Sequence, residues 1–540
     1  MIRDVVSAHI TKFIPDAEHW TLEFQDDDAR GHYALNCAFW LAKKRGKPPM
    51  EIAEEIAETL KESGKDIFVH VAAAAPGFVN LWIRPELFLE EMGKNLVLGS
   101  EYGKNTIGNG KKVRIEYVSA NPTGPIHIGN ARGGPYGESL SRIFEMSGYE
   151  VFREYFHNDA GTQIEKLGAT VWYWYQKING GSPEFPEGGY QGTYLEEVAH
   201  AVREKFGDAL SPNDMQQIVD FTLDVIFGEN EEILHLLGIR FDSIFKESDF
   251  LTGGKTDAVI ALLKEKNILK ESEGAWWFAP KDEFLEDRES VVVRSNGKPT
   301  YFASDIAYHK EKFESGYDLV IDIFGSNHHG HVPKLQALTK LFGFDPNNFL
   351  VLLYQFVRVK KGNEVVKMSK RAGTYVTAKE VIEEVGPDNV IFSLLSSAPE
   401  THLDFDLDLA KEQSMKNPVY YVQYAHVRAE NIIEKSGMET LTFNQDVFSQ
   451  FVFSPHDIAL MRRIAEFPGV IRDTLGDHGV HRLTRYAFEL ARTFHNFYEH
   501  ERVIASDGTV SRARLALVFA ARNTLQSIFH CIGISAPRRM

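Results

Sequence analysis

The segment from residue 112 to 157 constrains the fold more than any other part of the sequence. KVRIEYVSA (112–120) is typical of a buried strand, and the loop after it, NPTGPIHIGNARGGPYG, is rich in Gly and Pro. ESLSRIFEMSGYE then has apolar residues at helical spacing, and EVFREYFH (150–157) predicts the next strand. This order predicts a parallel βαβ unit in an α/β domain, where ligands bind in the crevice at the carboxyl ends of the strands.

The loop of this unit contains HIGN (127–130), shortly before the predicted helix. A helix N-terminus offers free backbone N–H groups and the positive end of its dipole to a phosphate group. Gly129 would let a nucleotide approach the backbone closely. For so short a string, a histidine in a tight turn is the commoner explanation, so the motif needs support from elsewhere in the chain.

A second polar loop, KMSKRAG (367–373), follows the last predicted strand, FLVLLYQFVRV (349–359). Lys367 and Lys370 can place mobile positive charge on a triphosphate, where it matters most as negative charge gathers in the transition state. A solvated basic loop is the alternative for this string taken alone.

The remaining pattern predicts two further domains. EIAEEIAETLKE (51–62) has helical spacing, DIFVHVAAAAPGFVNLWI (66–83) predicts two strands around a Pro-Gly turn, and the Gly-rich stretch 99–112 predicts a linker. YDLVIDIFG (317–325) predicts a strand, residues 172–194 an irregular insertion, and residues from about 386 onward amphipathic helices without convincing strands. We therefore expect a small α+β domain over 1–108, an α/β domain with insertions over 109–385 and a helical domain over 386–540.

Composition limits the location and the partners of the chain. Cys37 and Cys531 are its only cysteines, which favours a reducing cytoplasm, and we find neither a secretory signal nor an apolar run of membrane length. The net charge is −17, yet from residue 456 onward there are 12 Arg, no Lys and 8 acidic residues. A basic tail on an acidic body is compatible with a polyanionic partner, and the alternative is that Arg is the ordinary surface cation of these helices.

In this order and setting, the two loops resemble those with which class I aminoacyl-tRNA synthetases clamp ATP. Residues 121–164 are similar to the signature region of arginyl-tRNA synthetases. The same likeness is found in YFASDIAYHKEKFE (301–314), GSNHHGHVPKL (325–335), KMSKRAGTYVT (367–377), NPVYYVQYAHVRAENII (417–433) and GISAPRRM (533–540). The resemblance extends from the N-terminal domain to the last residue.

The resemblance implies both a fold and an activity. The fold would be a Rossmann-type parallel-sheet catalytic domain with insertions, a small α+β N-terminal domain that contacts tRNA, and an all-α C-terminal anticodon-binding domain. The activity would be that of an arginine–tRNA ligase, which activates L-arginine with ATP and Mg²⁺ and passes the arginyl group to the 3′-terminal ribose of tRNA(Arg). Activation would require bound tRNA, with no tightly bound metal or organic cofactor. We also expect a cytoplasmic monomer without membrane contact.

The resemblance also carries over site residues. The ATP-binding candidates are His127, Gly129, Asn130, Lys367, Met368, Ser369 and Lys370. Four of these, His127, Asn130, Lys367 and Lys370, are the catalytic candidates. The arginine-binding candidates are Glu116, Asn121, Glu247, Tyr301, Asp305 and His328.

The arginine-binding candidates make chemical sense for a guanidinium, which carboxylates bind best in bidentate geometry. Tyr301 and Asp305 are four residues apart and would share one helix face. For Asp305 and Glu247 the alternative is an ordinary charge on a helix surface. Tyr421 and Tyr424 could stack on anticodon-loop bases, with helix packing as an equal alternative.

Some features depart from this pattern or point elsewhere. Asn130 stands where the class motif has histidine, and Asn cannot become cationic. The cluster NHHGH (327–331) could suggest zinc, but HExxH and nearby cysteines are missing. GKT (254–256) is not a P-loop, because Asp249 stands where that motif needs glycine. The rival functions are a cysteinyl or glutamyl synthetase, a small-molecule nucleotidyltransferase and a non-catalytic RNA-binding paralogue.

Overall fold

The structure is a computed structural model that describes residues 1–25, 28–280, 285, 289–362, 364–365, 376–441, 446–449 and 451–540. The elements of the N-terminal part are α1 (Ile2–Phe13), β1 (Leu22–Phe24), β2 (Tyr33–Leu35), α2 (Cys37–Arg45), α3 (Pro49–Ser63), β3 (Phe68–Ala74), β4 (Phe78–Ile83) and α4 (Pro85–Leu98). Its strands form an antiparallel sheet in the order β1-β2-β4-β3. The predicted helix over 51–62 and the strand pair around Pro76-Gly77 are therefore confirmed.

The predicted linker over 99–112 connects α4 to the next strand, but it is packed against its neighbours. Tyr102 is buried. The backbone N–H groups of Asn105, Gly108 and Gly110 donate to carbonyl oxygens of residues 146, 147 and 148 at 2.8–2.9 Å. Polar composition predicted a loop here, whereas the contacts that fix the loop come from residues distant in sequence.

The central part holds the main sheet and its insertions. Its elements are β5 (Lys112–Glu116), α5 (Gly133–Met146), β6 (Glu150–His157), α6 (Thr162–Ile178), α7 (Tyr194–Phe206), α8 (Met215–Leu236), β7 (Ser243–Lys246), α9 (Glu247–Thr252), α10 (Lys255–Glu265), β8 (Leu269–Ser272), β9 (Ala275–Phe278), β10 (Ser290–Val293), α11 (Tyr301–Glu314), β11 (Leu319–Gly325), α12 (Val332–Leu341) and β12 (Phe349–Tyr354). The main sheet has the order β12-β11-β5-β6-β7, and every adjacent pair in it is parallel. The predicted parallel βαβ unit is thus confirmed as β5-α5-β6.

Two insertions interrupt the sheet. Between β6 and β7, α6, α7 and α8 pack around an apolar core of their own, and between α10 and α11, β8, β9 and β10 form an antiparallel sheet. The prediction of an irregular insertion from residue 172 was wrong at its start, since residues 172–178 belong to α6. Leu167, Val171 and Tyr175 are buried at helical spacing in α6, although the aromatic and polar residues between them obscure this pattern in the sequence.

The last part adds a small sheet and a bundle of helices. Its elements are β13 (Val357–Lys361), β14 (Glu364–Val365), α13 (Ala378–Val385), α14 (Pro387–Leu395), β15 (Leu403–Asp406), α15 (Leu407–Lys411), α16 (Pro418–Ser436), α17 (Asp446–Ser449), α18 (Pro455–Asp477), α19 (His481–His500) and α20 (Arg512–Ile532). β13 pairs with β14 and, in parallel, with β15.

This small sheet corrects two sequence predictions. The apolar run 349–359 is two strands in different sheets, β12 and β13, because the Gln355 N–H between them donates to the Pro399 carbonyl at 2.8 Å. The stretch after residue 386 does contain a strand, β15, which was missed because four residues are too few to show a strand period.

Helix α20 is the core helix of the C-terminal bundle. Among the described helices, α20 alone is long and apolar enough to span a membrane. The sequence analysis did not predict an apolar run of this length. Within the protein, 83% of that stretch is buried. It contacts α16, α18 and α19, and also α4 of the N-terminal part. Its apolar surface is therefore accounted for by packing within the chain.

Candidate active site

A cavity of about 390 Å³ opens at the carboxyl ends of β5, β6 and β11. It is lined by residues from both predicted sets, namely Glu116, Asn121, His127, Asn130, Glu247, Tyr301, Asp305 and His328. Among the described candidates for ATP and arginine binding, Gly129 alone does not line it. The fold thus brings together residues that are up to 212 positions apart in sequence.

The HIGN loop is held by backbone hydrogen bonds at the start of α5. The Asn130 N–H donates to the His127 carbonyl at 2.9 Å, and the Ile128 N–H donates to the Val376 carbonyl at 3.2 Å. The KMSK loop, with Lys367, Met368, Ser369 and Lys370, lies outside the described residues. Val376, its near neighbour in the chain, is therefore attached directly to the HIGN loop.

Gly129 has a packing role in this loop. A Cβ atom there would lie 3.0 Å from His127 Nδ1 and 3.4 Å from the Val357 carbonyl oxygen. Glycine therefore lets the His127 ring fold back over the loop, next to β13. The sequence suggested close approach of a nucleotide, whereas the structure shows close approach of a side chain.

The acidic side of the cavity is formed by Glu247 and Asp305. Glu247 begins α9 and is buried, and among the described residues its Oε2 atom has no hydrogen-bond partner. The pKa of Glu247 is raised to about 8, mainly because the side chain is buried and also because the charge of Asp305 repels its ionised form. Two carboxyl groups, one of them with an oxygen that has no hydrogen-bond partner in the described part of the chain, fit a ligand that is cationic and rich in N–H donors.

Tyr301 and Asp305 both lie on α11 and both line the cavity, as their spacing predicts. The Tyr301 hydroxyl is 3.4 Å from the Gln163 backbone nitrogen at the rim. Gly161 beneath it has φ +84°, and a Cβ there would come within 2.5 Å of the Tyr301 hydroxyl oxygen. The sequence analysis did not name Gly161 as a site residue. Its position soon after a strand at the ligand edge was the signal that could have identified it.

Asp159 is a second residue that the sequence analysis missed. Its carboxylate accepts hydrogen bonds from the Ser248 backbone N–H at 2.9 Å and from the Ser248 hydroxyl at 2.7 Å. These bonds hold the first turn of α9, and therefore Glu247, against the loop after β6. Nothing in the sequence pairs these two segments, because they are separated by the whole α6–α8 insertion.

His328 and His331 form another wall, with ring centroids 5.7 Å apart. Burial lowers the pKa of both rings, and the charge of His331 lowers that of His328 further. Neutral rings offer hydrogen bonds to a ligand without adding charge. Within the described ranges, no group of three or more His, Cys, Asp or Glu side chains is arranged to hold a metal ion.

Glu116 lies at the floor of the cavity and is already engaged. Its Oε2 atom accepts hydrogen bonds from Lys312 Nζ at 2.6 Å and from the Tyr308 hydroxyl at 3.0 Å, and its Oε1 accepts one from the Ser119 hydroxyl at 2.8 Å. Asn121, in contrast, is exposed at the rim, 3.4 Å from the amide of Asn158. The two candidates before the HIGN loop therefore have different surroundings.

A second cavity, of about 300 Å³, lies in the C-terminal bundle and is lined by Tyr424, Arg428, Lys435 and Tyr498 among others. The Arg428 guanidinium is 4.8 Å from the Tyr424 ring centroid and 4.2 Å from that of Tyr498. Tyr421 instead stacks on Phe488 at 4.8 Å. Of the two tyrosines predicted to contact tRNA, Tyr424 faces this open pocket and Tyr421 packs between helices.

Matches to protein families follow the same three-part division. Residues 1–83 match the family described as arginyl tRNA synthetase N terminal domain. Residues 91–390 match tRNA synthetases class I (R), catalytic domain, and residues 422–540 match DALR anticodon binding domain. The parallel sheet, the ligand cavity at its carboxyl edge and the HIGN loop are thus those of a class I aminoacyl-tRNA synthetase.

Individual relatives agree over nearly the full length. An arginine–tRNA ligase of Carboxydothermus hydrogenoformans is 40% identical over 525 residues, covering 96% of this chain and 94% of the relative. One from Syntrophotalea carbinolica is 39% identical over 526 residues, with the same coverage. The arginyl-tRNA synthetase structure of Thermus thermophilus shares the fold, with a TM-score of 0.78, 22% identity and 100% coverage of both chains. The chain belongs to the arginyl-tRNA synthetase family.

Proposed function

We propose that this chain catalyses the ligation of L-arginine to tRNA(Arg) at the cavity beside the HIGN loop. The observation that carries the proposal is the pair Glu247 and Asp305, whose carboxyl groups face one cavity while Glu247 Oε2 lacks a partner among the described residues. An arginine guanidinium has five N–H donors and a fixed positive charge, which complement such a pair. Membership of the family supports the same assignment.

In the first step, a carboxylate oxygen of arginine attacks the α-phosphorus of ATP, which enters with Mg²⁺ as its substrate complex. The bond from the α-phosphorus to the bridging oxygen breaks, and pyrophosphate leaves with the electron pair. The attacking group is already ionised, so the protein needs to orient it in line and to stabilise charge. His127, Asn130 and the start of α5 are proposed to bind phosphate, and Lys367 and Lys370 are proposed to supply mobile charge.

In the second step, a hydroxyl of the terminal tRNA ribose attacks the carbonyl carbon of arginyl-adenylate. The bond from that carbon to the phosphate oxygen breaks, AMP leaves, and the hydroxyl proton passes to solvent. The atoms balance without a covalent enzyme intermediate. Asn121 at the rim and His328 on the wall are proposed to bind the α-amino and carboxylate end of arginine, because both can form hydrogen bonds at the mouth of the cavity.

At the far end of the tRNA, Tyr424 is proposed to stack on a base of the anticodon loop. Its pocket combines two tyrosine rings with Arg428 and Lys435, a combination that suits an unpaired base and its phosphate. Tyr421 is proposed to contribute through the position of α16, since its ring already packs on Phe488. We further propose a cytoplasmic location, where the buried free thiols of Cys37 and Cys531 would stay reduced.

The decisive experiment is ATP–pyrophosphate exchange, run with each amino acid in the presence and absence of tRNA(Arg). We expect exchange with arginine, and we expect this exchange to require bound tRNA. Exchange driven by cysteine or glutamate would refute the specificity. A chain that binds tRNA and exchanges with no amino acid would be an RNA-binding paralogue.

Two substitutions test the acidic pair. Glu247→Gln and Asp305→Asn are each expected to raise the KM for arginine by about 10- to 100-fold, because each removes a charge-assisted contact to the guanidinium. The KM for ATP should stay unchanged. Glu311→Gln, on the exposed side of α11, is the matched control and should behave as the unsubstituted enzyme.

Lys370→Ala tests the mobile charge. Loss of one group that stabilises charge in a transition state typically costs about 10²- to 10³-fold in rate. Single-turnover adenylate formation is therefore expected to slow by that factor. An unchanged single-turnover rate would remove Lys370 from the mechanism.

A further inference from the structure

A buried cluster of charged side chains lies at the floor of the cavity, where α11 packs on the main sheet, and two of its members, Glu116 and His309, also line the cavity. Its members come from four elements and are each at most 3% exposed: Arg114, Glu116, Glu154, His309, Lys312 and Asp322. Charges this deeply buried are costly unless each is paired and hydrogen-bonded. The pairing within the cluster therefore fixes the charge state of its members.

Lys312 is the centre of the cluster. Its ammonium nitrogen lies 2.6 Å from Glu116 Oε2, 3.0 Å from Glu154 Oε1 and 2.7 Å from Asp322 Oδ1. Arg114 Nε donates to the other oxygen of Glu154 at 2.5 Å. Two cations are thus shared among three carboxylates.

His309 completes the cluster. Its Nδ1 atom is 2.8 Å from the backbone carbonyl oxygen of Asp305, and its Nε2 atom is 3.0 Å from Asp322 Oδ2. A carbonyl oxygen can only accept a hydrogen bond, and so can the Asp322 carboxylate, whose other oxygen is bound by the Lys312 ammonium. Both ring nitrogens must therefore carry protons.

We propose that His309 is held permanently as an imidazolium, the third cation of a neutral cluster of three cations and three carboxylates, and that it positions Asp305 for arginine binding. Burial raises the pKa of Glu116, and the charge of Lys312 opposes that rise. With all three carboxylates ionised, a neutral His309 ring would leave one unbalanced negative charge in the protein interior. The second half of this proposal rests on the proposed function, because Asp305 is assigned there to the guanidinium.

The surroundings of His309 favour this charge state. Burial alone would lower the pKa of His309, but the hydrogen bond and charge of Asp322 raise it above the ordinary value. The other titratable groups that face or act on the ring are Asp305, Tyr308 and Lys312 of α11 and His331 before α12. Burial would raise the pKa of Asp322, but Lys312 and His309 lower it to about 2.

The position of His309 explains how it can act on the ligand site. It lies one helical turn after Asp305 and donates to the carbonyl of that residue, so it fixes the backbone that presents the Asp305 carboxyl group. The charge of Asp305 in turn favours the imidazolium. His309 is thus a positioning residue, since its ring nitrogens are hydrogen-bonded to the Asp305 carbonyl and to Asp322.

The charge state can be measured on the unsubstituted enzyme by long-range ¹H–¹⁵N correlation of histidine rings at pH 8.5. An ordinary histidine, with a pKa of about 6.5, is neutral there. The His309 ring is expected to keep both nitrogens protonated, and its signals are assigned by their loss in His309→Gln. Should that variant not fold, the shift of the same signals in Asp322→Asn assigns them. One unprotonated ring nitrogen at pH 8.5 would overturn the proposal.

A double-mutant comparison tests the balance of charge. His309→Gln leaves an unpaired carboxylate, whereas His309→Gln with Asp322→Asn restores neutrality with two cations and two carboxylates. Thermal melting is expected to show a larger loss for His309→Gln than for the double variant. The reverse order would mean that the ring is neutral in the folded chain.

The positioning role is tested by kinetics. His309→Gln is expected to raise the arginine KM by about tenfold, the change that one charge-assisted hydrogen bond corresponds to, with kcat and the ATP KM unchanged. An unchanged arginine KM would overturn the positioning role even with the imidazolium confirmed. If the unsubstituted chain does not activate arginine at all, the proposed function fails, and the ring measurement still decides the charge state.

Discussion

Glu247 and Asp305 reach the same cavity from α9 and α11, and their meeting gives the pocket its chemical character. Glu and Asp are both common on helices. From the sequence alone, each of these two residues could therefore have been an ordinary charged side chain exposed to solvent. Burial to 2% exposure makes Glu247 different, since its carboxyl group then favours the neutral form at physiological pH. A cationic ligand would reverse that preference.

This residue pair leads to a prediction about pH. With the pKa of Glu247 raised to about 8, the group is mostly protonated below that pH, and a bound guanidinium favours its ionised form. Arginine binding should therefore release a proton. Arginine affinity is expected to rise by up to about tenfold per unit between pH 6.5 and 8 and then to level off. Calorimetry in two buffers of different ionisation enthalpy measures the released proton.

The matched control for this prediction is Glu247→Gln. Without a titrating group, its affinity for arginine should be low and flat over the same range. An unsubstituted enzyme whose arginine affinity does not change between pH 6.5 and 8.5 would contradict the assignment.

At the scale of elements, Arg132 joins the HIGN loop to the loop after α14. It is 1% exposed and, although cationic, donates to backbone carbonyl groups instead of a carboxylate. The accepting carbonyl oxygens at the end of α14 and in the loop after it are those of Leu394 at 3.2 Å, Ser397 and Ala398 at 2.8 Å, Pro399 at 3.1 Å and Thr401 at 2.7 Å. The Gln355 carbonyl accepts a further bond at 3.4 Å. One side chain thus fixes a loop more than 260 residues away to the start of α5.

We predict that Arg132→Met loosens that distant loop. A buried acceptor left without its donor costs about 1–3 kcal/mol, so the free energy of opening of residues 396–401 should fall by about 2 kcal/mol or more. Hydrogen–deuterium exchange over this loop measures the change.

The control is Arg358→Met on β13, whose pair with Asp404 is exposed and is therefore expected to contribute little to stability. Equal exchange in the two variants would mean that the buried hydrogen bonds of Arg132 do not hold the loop.

At the scale of the whole molecule, the arginine pocket and the Tyr424 pocket lie in different parts of the chain, and a tRNA would have to reach both. We predict that Tyr424→Ala raises the KM for tRNA by about tenfold or more, since stacking on one base contributes about 1–3 kcal/mol. The arginine KM at saturating tRNA should not change. Tyr424→Phe keeps the ring and should remain close to the unsubstituted enzyme. A raised arginine KM in Tyr424→Ala would instead indicate damage to the fold.

The oligomeric state is a second prediction at this scale. Among the described residues, the most exposed large apolar side chains are Val69, Val97 and Val452, which lie singly on β3, on α4 and before α18. We predict a monomer, with a light-scattering mass of 61.2 kDa that does not change with concentration. Twice that mass would show that a second copy covers part of the surface.

The local elements around the ligand edge of the sheet were predictable from the amino-acid pattern alone. The strand, loop, helix and strand of 112–157 were predictable because apolar periodicity and turn-forming residues are local signals. Tyr301 and Asp305 were predictable as neighbours because one helix carries both. The short strand β15 and the true extent of α6 were not, because their apolar positions are recognisable only once a partner surface is present.

Which of these residues can contact a ligand depends on how the segments pack against one another. Glu116 and Glu247 looked equivalent in the sequence, yet Glu116 is bound by Lys312 whereas Glu247 faces the cavity with an oxygen lacking a partner among the described residues. The charge of His309 was equally hidden, because it depends on Asp322 across the packing of α11 on β11. Burial and pairing set the state of an ionisable group, and both arise from contacts between segments that the sequence lists separately.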